Sequence, residues 1–231
     1  DAFDDFEIEF DAITDADEKQ LKEFFQRLQE GLPLTSSEKL NSVHSKLRDY
    51  CVRLAKHKFF SVTTVVRDKR YAYFDICAKV LTLEIEGLGG GLRYEDVKEV
   101  FDANSSFSGR SAIAKRFGQA LDILHDAFPK NTKALRNRTI VQSVITLTCR
   151  LLDAGLDPTD SKQLCKFVLH FLAELNRQVE LGVAATDTDY LTFQRTINAN
   201  VRSGPRTRQD ILVRKLLAYD PTFYDKVSAL E

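Results

Sequence analysis

The sequence predicts a mainly α protein, a multi-helix bundle preceded by one β-strand and one helix. Three observations carry that expectation. Apolar residues recur at helical spacing almost without interruption from Leu21 to the end of the chain. Helix punctuation falls between these periods: a capping box at Thr35-Ser36-Ser37-Glu38, and glycines at Gly31, Gly87 and Gly155. Only Phe6-Glu7-Ile8-Glu9-Phe10-Asp11-Ala12 alternates strictly with a period of two, as a half-buried strand does.

The elements follow in order. Leu21, Phe24, Phe25, Leu28 and Leu32 form one helical face behind Asp15 and Asp17, whose charge suits the positive end of the helix dipole. Gly31 permits the left-handed backbone that ends a helix, and Pro33 prevents its continuation. A second helix starts near Ser36, carries Leu40, Val43, Leu47, Cys51 and Leu54 inward, and closes at Lys56-His57-Lys58. The β-branched run Phe59 to Val66 reads as a strand, although its place between helices argues for another short helix over Ser61 to Arg70. Helices follow from Tyr71 to Ile85, Tyr94 to Ala103, Ser111 to Phe128 and Thr139 to Ala154. A long one opens at Asp160 or Ser161, and two shorter ones, Asp189 to Ala199 and Thr207 to Tyr219, are separated by Ser203-Gly204-Pro205. A lone strand cannot satisfy its own backbone, so Phe6–Ala12 either pairs with the Phe59–Val66 run or has its partners upstream, the second being the favoured expectation. The start at Asp1 and the absence of Met from 231 residues also suggest a piece of a longer chain.

Composition excludes several classes. No apolar run approaches the ~20 residues of a membrane span and no leader pattern opens the chain, so no membrane association and a cytoplasmic location are expected. Cys51, Cys77, Cys149 and Cys165 stand singly on apolar faces, which reads as buried free thiols rather than a metal or disulfide framework. His44, His57, His125 and His170 have no nucleophile or carboxylate at triad spacing, and no metal motif or cofactor fingerprint occurs. Gly87-Leu88-Gly89-Gly90-Gly91 follows a helix and lacks the Gly-Lys-Ser/Thr ending of a phosphate loop, so it reads as a flexible connector.

Charge is unevenly spread. Residues 1–30 hold 3 Lys or Arg against 11 Asp or Glu, a balance of −8 in a chain whose total is −1, which leaves +7 on residues 31–231. Two runs concentrate the positive charge: Lys130 to Arg138, with Lys133, Arg136 and Arg138, and Arg202 to Arg208, with Arg202, Arg206 and Arg208. Both sit at helix starts among Asn, Ser and Thr, a mixture that suits phosphate. These six cations are the candidate nucleic-acid-binding residues, with DNA as the expected partner. Solvation of an ordinary surface is the plainer reading, and contact with one ligand requires the two runs to share a face.

The strand Phe6–Ala12, the helix ending Phe25-Gln26-Arg27-Leu28-Gln29-Glu30-Gly31, and Leu32-Pro33-Leu34-Thr35-Ser36-Ser37-Glu38-Lys39-Leu40-Asn41 together resemble the end of the ParB-like, sulfiredoxin-fold domain of the GmrSD-type restriction family. The similarity covers roughly residues 6–58. Gln29 stands where that family commonly has asparagine, and Glu30 where it has a glycine. The resemblance implies that residues 1–34 close an α+β domain and that residues 35–231 form a helical domain. It also implies a bacterial protein associated with defence against phage DNA. The family's Asp-Gly-Gln-Gln-Arg centre precedes the matched segment and that string does not occur here, so no catalytic residue is carried over. Any nuclease or nucleotidase activity would belong to an upstream catalytic domain. The competing reading is a helical scaffold for a protein partner, without a nucleic-acid role.

Overall fold

The computed structural model describes residues 12, 14–28, 33–197 and 203–228. All of the expected strand Phe6–Ala12 except Ala12 lies outside these residues, as do Gly31 and Arg202; Ala12 has no regular structure. Among the described residues there are helices and no strand. The chain divides into two units, Asp1–Leu34 and Thr35–Glu231.

In the first unit, α1 (Glu18–Leu28) opens with a reciprocal cap. The Gln20 backbone N–H donates to the Asp17 carboxylate at 2.8 Å, and the Asp17 N–H donates to the Gln20 side-chain oxygen at 2.9 Å. Glu18 and Lys22 pair one turn apart at 2.6 Å.

The second unit holds α2 (Ser36–Asn41), α3 (Lys46–Leu54), α4 (Ala72–Glu86), α5 (Tyr94–Ala103), α6 (Ala112–Ala127), α7 (Arg138–Asp153), α8 (Ser161–Leu181), α9 (Thr188–Thr196), α10 (Ser203–Tyr219) and α11 (Tyr224–Ser228). The expected box at Thr35 is present: Glu38 N–H donates to the Thr35 hydroxyl, and Thr35 N–H donates to Glu38 Oε2. α7 is the axis of the bundle. Every residue from Val141 to Cys149 is buried, polar ones included, so it is covered on all sides. α4 is nearly as enclosed and lies against α7, which also packs on α6 and α10, while α8 packs on α6 and α9. α4 and α7 run in the same direction. Lys69, just before α4, accepts a bond from Arg138 at the start of α7, and near the far ends Glu84 and Asp153 share Arg116. The four cysteines are buried free thiols.

Three sequence expectations are corrected. The single helix expected from Ser36 to Lys58 is two, because Ser45 caps α3: its hydroxyl accepts from Leu47 N–H at 3.2 Å and donates to the Phe101 carbonyl at 2.9 Å. Removing that hydroxyl in Ser45→Ala should lower stability by about 1–2 kcal/mol in urea denaturation, from the lost cap and the buried bond together. The β-branched run is no strand. Phe59–Thr63 forms one wide π-helical turn, because Phe59, Phe60, Thr63 and Thr64 are all buried and only a helical winding puts those four on one side. Ser203-Gly204-Pro205, expected as a separator, is the first turn of α10, where proline's missing N–H costs no helical bond.

Candidate nucleic-acid interface

After the π turn the chain runs beside the segment that precedes α7, and the two are fastened along their length. Asn131 N–H donates to the Val62 carbonyl at 2.9 Å and Thr132 N–H to Thr63 at 2.8 Å. Thr64 forms a parallel bridge with Thr132, and Val65 N–H donates to Leu135 at 3.3 Å. Leu135 is fully buried beneath this seam. Arg138 closes it by donating from Nη2 to the Lys69 carbonyl at 3.0 Å.

The fastening builds one ridge from two distant stretches. Arg67, Lys69 and Arg70 come from the first; Lys130, Lys133, Arg136 and Arg138 come from the second; all are exposed. The acids nearby are already engaged. Asp68 accepts the Tyr73 N–H at 3.0 Å at the start of α4, and Glu38 takes the Arg70 guanidinium in a fork of 2.7 and 3.0 Å. Among the described residues no carboxylate pairs with Lys130, Lys133, Arg136 or Arg138. The parallel α4 and α7 both point their positive dipole ends at the ridge, adding to its field. Tyr71 stands between the cations and the start of α4, 48% exposed. Arg70 and Tyr71 are consecutive left-handed residues, φ 55° and 61°, a conformation that non-glycine residues hold only when their surroundings impose it.

The fork on Glu38 has an electrostatic signature. The Arg70 guanidinium, followed by the Thr35 cap, holds the Glu38 carboxyl down at about 2, against an ordinary 4.5. A depressed carboxylate stabilises the fold above its ordinary range and loses that contribution as pH falls through its folded value. The Tm difference between the wild type and Glu38→Gln should therefore be full at neutral pH and shrink between about pH 4.5 and 2. Glu84 behaves oppositely. Burial pushes its carboxyl up and Arg116, bonded at 2.8 Å, pulls it back, so acidification relieves rather than costs there.

The six expected binding residues separate. Lys133, Arg136 and Arg138 share the ridge. Arg202 lies outside the described residues. Arg208 is corrected: it is 2% exposed, donating from Nε to Ser143 Oγ at 2.9 Å and from Nη1 to the Thr196 carbonyl at 2.7 Å, and burial lowers its guanidinium to about 10. It joins α10 to α7 and α9 and cannot meet phosphate. Arg206 is exposed but sits over Gly89, on the side of Arg150. Burial lowers the Arg150 guanidinium; Asp210 and Glu84 oppose the shift, and Arg206 adds to it. Arg138 and Arg150 are twelve residues apart on α7, a rise of about 18 Å, so the second run does not extend the ridge. Arg67, Lys69, Arg70 and Tyr71 were not singled out from sequence. Their signal, three cations in four residues followed by an aromatic, was legible but fell across the stretch Ser61 to Arg70, read as strand or short helix, and the first position of the helix expected from Tyr71.

Two concavities flank these features. Between α7, α8 and α9 a groove of about 530 Å³ has Lys133 and Arg136 on its rim and, among the described residues, no carboxylate in its lining. The glycine connector borders a cavity of about 360 Å³ lined by Glu86, Asp96 and Glu99, whose charge repels phosphate. Gly91 is more than a flexible link. A Cβ there would lie 2.2 Å from the Asp96 carboxylate that caps Arg93 N–H, and Gly91→Ala should cost about 1 kcal/mol in thermal denaturation through the displaced cap. Among the described residues no three acidic, His or Cys side chains gather as a metal site, and no helix is long and apolar enough to cross a membrane. No family model, curated protein or solved structure matches the chain.

Proposed function

We propose that this chain binds nucleic acid by its phosphates, as the helical accessory part of a ParB-like, GmrSD-type protein whose chemistry resides in an upstream catalytic domain. The observation that carries the reading is the ridge: six exposed cations from two distant segments converge beside Arg70, whose charge Glu38 offsets, against one further carboxylate, Asp68, held at the start of α4. Phosphate contacts position a nucleic acid without reading its sequence, and a ridge of flexible cations with one exposed tyrosine suits that role. The resemblance of residues 6–58 adds the remainder: residues 1–34 as the end of an α+β domain, a bacterial cytoplasmic setting, and defence against phage DNA. Fluorescence anisotropy with a 20-base-pair duplex across a salt series tests the reading. Four phosphate contacts give a slope of about −3.6 in log affinity against log salt. Binding that ignores salt, or no binding at low salt, refutes it.

A specific observation favours a protein-binding scaffold as the second reading. Val179, Leu181 and Val183 are exposed where α8 ends, and Val183 is bare of any cover. Isolated apolar residues are ordinary on surfaces, so three in five positions weigh less than the ridge.

A further inference from the structure

We infer that the groove beside the ridge takes an unpaired base, so that the ligand is single-stranded nucleic acid or a strand with a base turned out. This rests on the reading of the ridge as a phosphate-binding surface and adds what lies next to the phosphates.

Four features of the groove point the same way. Its size, about 530 Å³, falls within the range of small-ligand pockets, and it is open to solvent along the ridge. Its floor is apolar, with Ile140, Leu169 and Ile197 offering flat aliphatic surface to a ring. Three side-chain amides face the same space. Asn137 spends its oxygen capping Thr139 and Ile140, which leaves its NH2 to donate; among the described residues Asn176 and Gln194 have no hydrogen-bond partner. Amides pair donor with acceptor, as base edges do, and satisfy a ring whose own groups have lost water. Finally, Lys133 and Arg136 belong to the groove and the ridge at once. A nucleotide whose phosphate meets these two cations has its base directed over the rim and onto the aliphatic floor. A base inside a duplex is stacked and paired and cannot enter, so groove and ridge together distinguish a strand from a duplex.

The absence of carboxylates from the lining matters here. An acidic side chain would repel the phosphate and disfavour a site for polyanions, whereas among the described residues every polar side chain lining the groove is a cation or a neutral amide. The acidic cavity by the glycine connector shows the opposite lining in the same fold.

The test compares two 12-residue strands of equal charge: oligothymidylate, and a strand of abasic deoxyribose phosphates. Ridge contacts alone bind both equally. A base in the groove makes the oligothymidylate tighter by on the order of tenfold. Asn176→Leu combined with Gln194→Leu should bring it down to the affinity of the abasic strand. Ala173→Leu, which narrows the groove from an exposed position, should do the same if the double variant does not fold. Lys133→Glu with Arg136→Glu should weaken both strands. Equal affinity of the two strands for the wild type, with both lost on charge reversal, overturns the groove and leaves the ridge standing. Failure of both strands to bind the wild type overturns both.

Discussion

Arg208→Ala is expected to lower the free energy of unfolding by about 3 kcal/mol in urea denaturation, the largest loss from any single basic residue in the bundle. The side chain fills the junction of α7, α9 and α10, and its removal leaves a void and takes the donor from Ser143 Oγ and the Thr196 carbonyl. Its charge is not what holds the junction, since among the described residues no carboxylate faces it and burial already lowers its pKa to about 10. Arg208→Met, which keeps most of the length and discards the charge, should therefore lose about 1 kcal/mol. Arg208→Glu should fail to fold, because a buried carboxylate would replace a hydrogen-bonded cation. If Arg208→Met is as damaging as Arg208→Ala, the hydrogen bonds rather than the filled volume hold the junction.

Reversing two ridge charges should be the most damaging change for function. Lys133→Glu with Arg136→Glu is expected to weaken binding to a 20-base-pair duplex by at least about thirtyfold near 0.1 M salt and to flatten the salt slope by about 2. Both side chains are exposed, so urea midpoints should not move appreciably. Arg206→Glu serves as the internal comparison. It reverses one charge rather than two, but its site is about 18 Å along α7 from Arg138, beyond a Debye length of about 10 Å at that salt, and it should alter affinity by less than about twofold. Equal effects per reversed charge on log affinity would mean that net charge, and not the ridge, governs binding.

Much of the bundle was legible because local signals carried it. Tyr94–Ala103 emerged with the expected bounds, α4, α6 and α7 within one residue at each end, and α8 at its expected start, since each has an apolar stripe and a cap or glycine at its edge. The misses share a cause. Ser45 and the π turn at Phe59–Thr63 each meet a partner far along the chain, Phe101 for Ser45 and the seam with residues 131–135 for the turn, and the first turn of α10 leads into Arg208 and Gln209, which bond Ser143. The candidate site divides the same way. Lys133, Arg136 and Arg138 were visible as a run, but whether an arginine faces water or a core is not written locally: Arg206 and Arg208 lie two positions apart, and only one of them reaches solvent. Arg67 to Tyr71 joined the site only because the backbone seam laid them beside the other run.

That seam also determines when the ridge comes into being as the chain folds. Arg138 and Lys69 are 69 positions apart, with α4, α5 and α6 between them, so the loop they close is among the slower contacts to form. A nascent or partly unfolded chain carries the same cations but not their arrangement. A polyanion that recognises the arrangement binds only the native state and draws the folding equilibrium toward it, by about 2.7 kcal/mol at a hundredfold excess over its Kd. On the proposed reading, the ridge thus acts as a checkpoint on completed folding, with occupancy and conformational stability rising together.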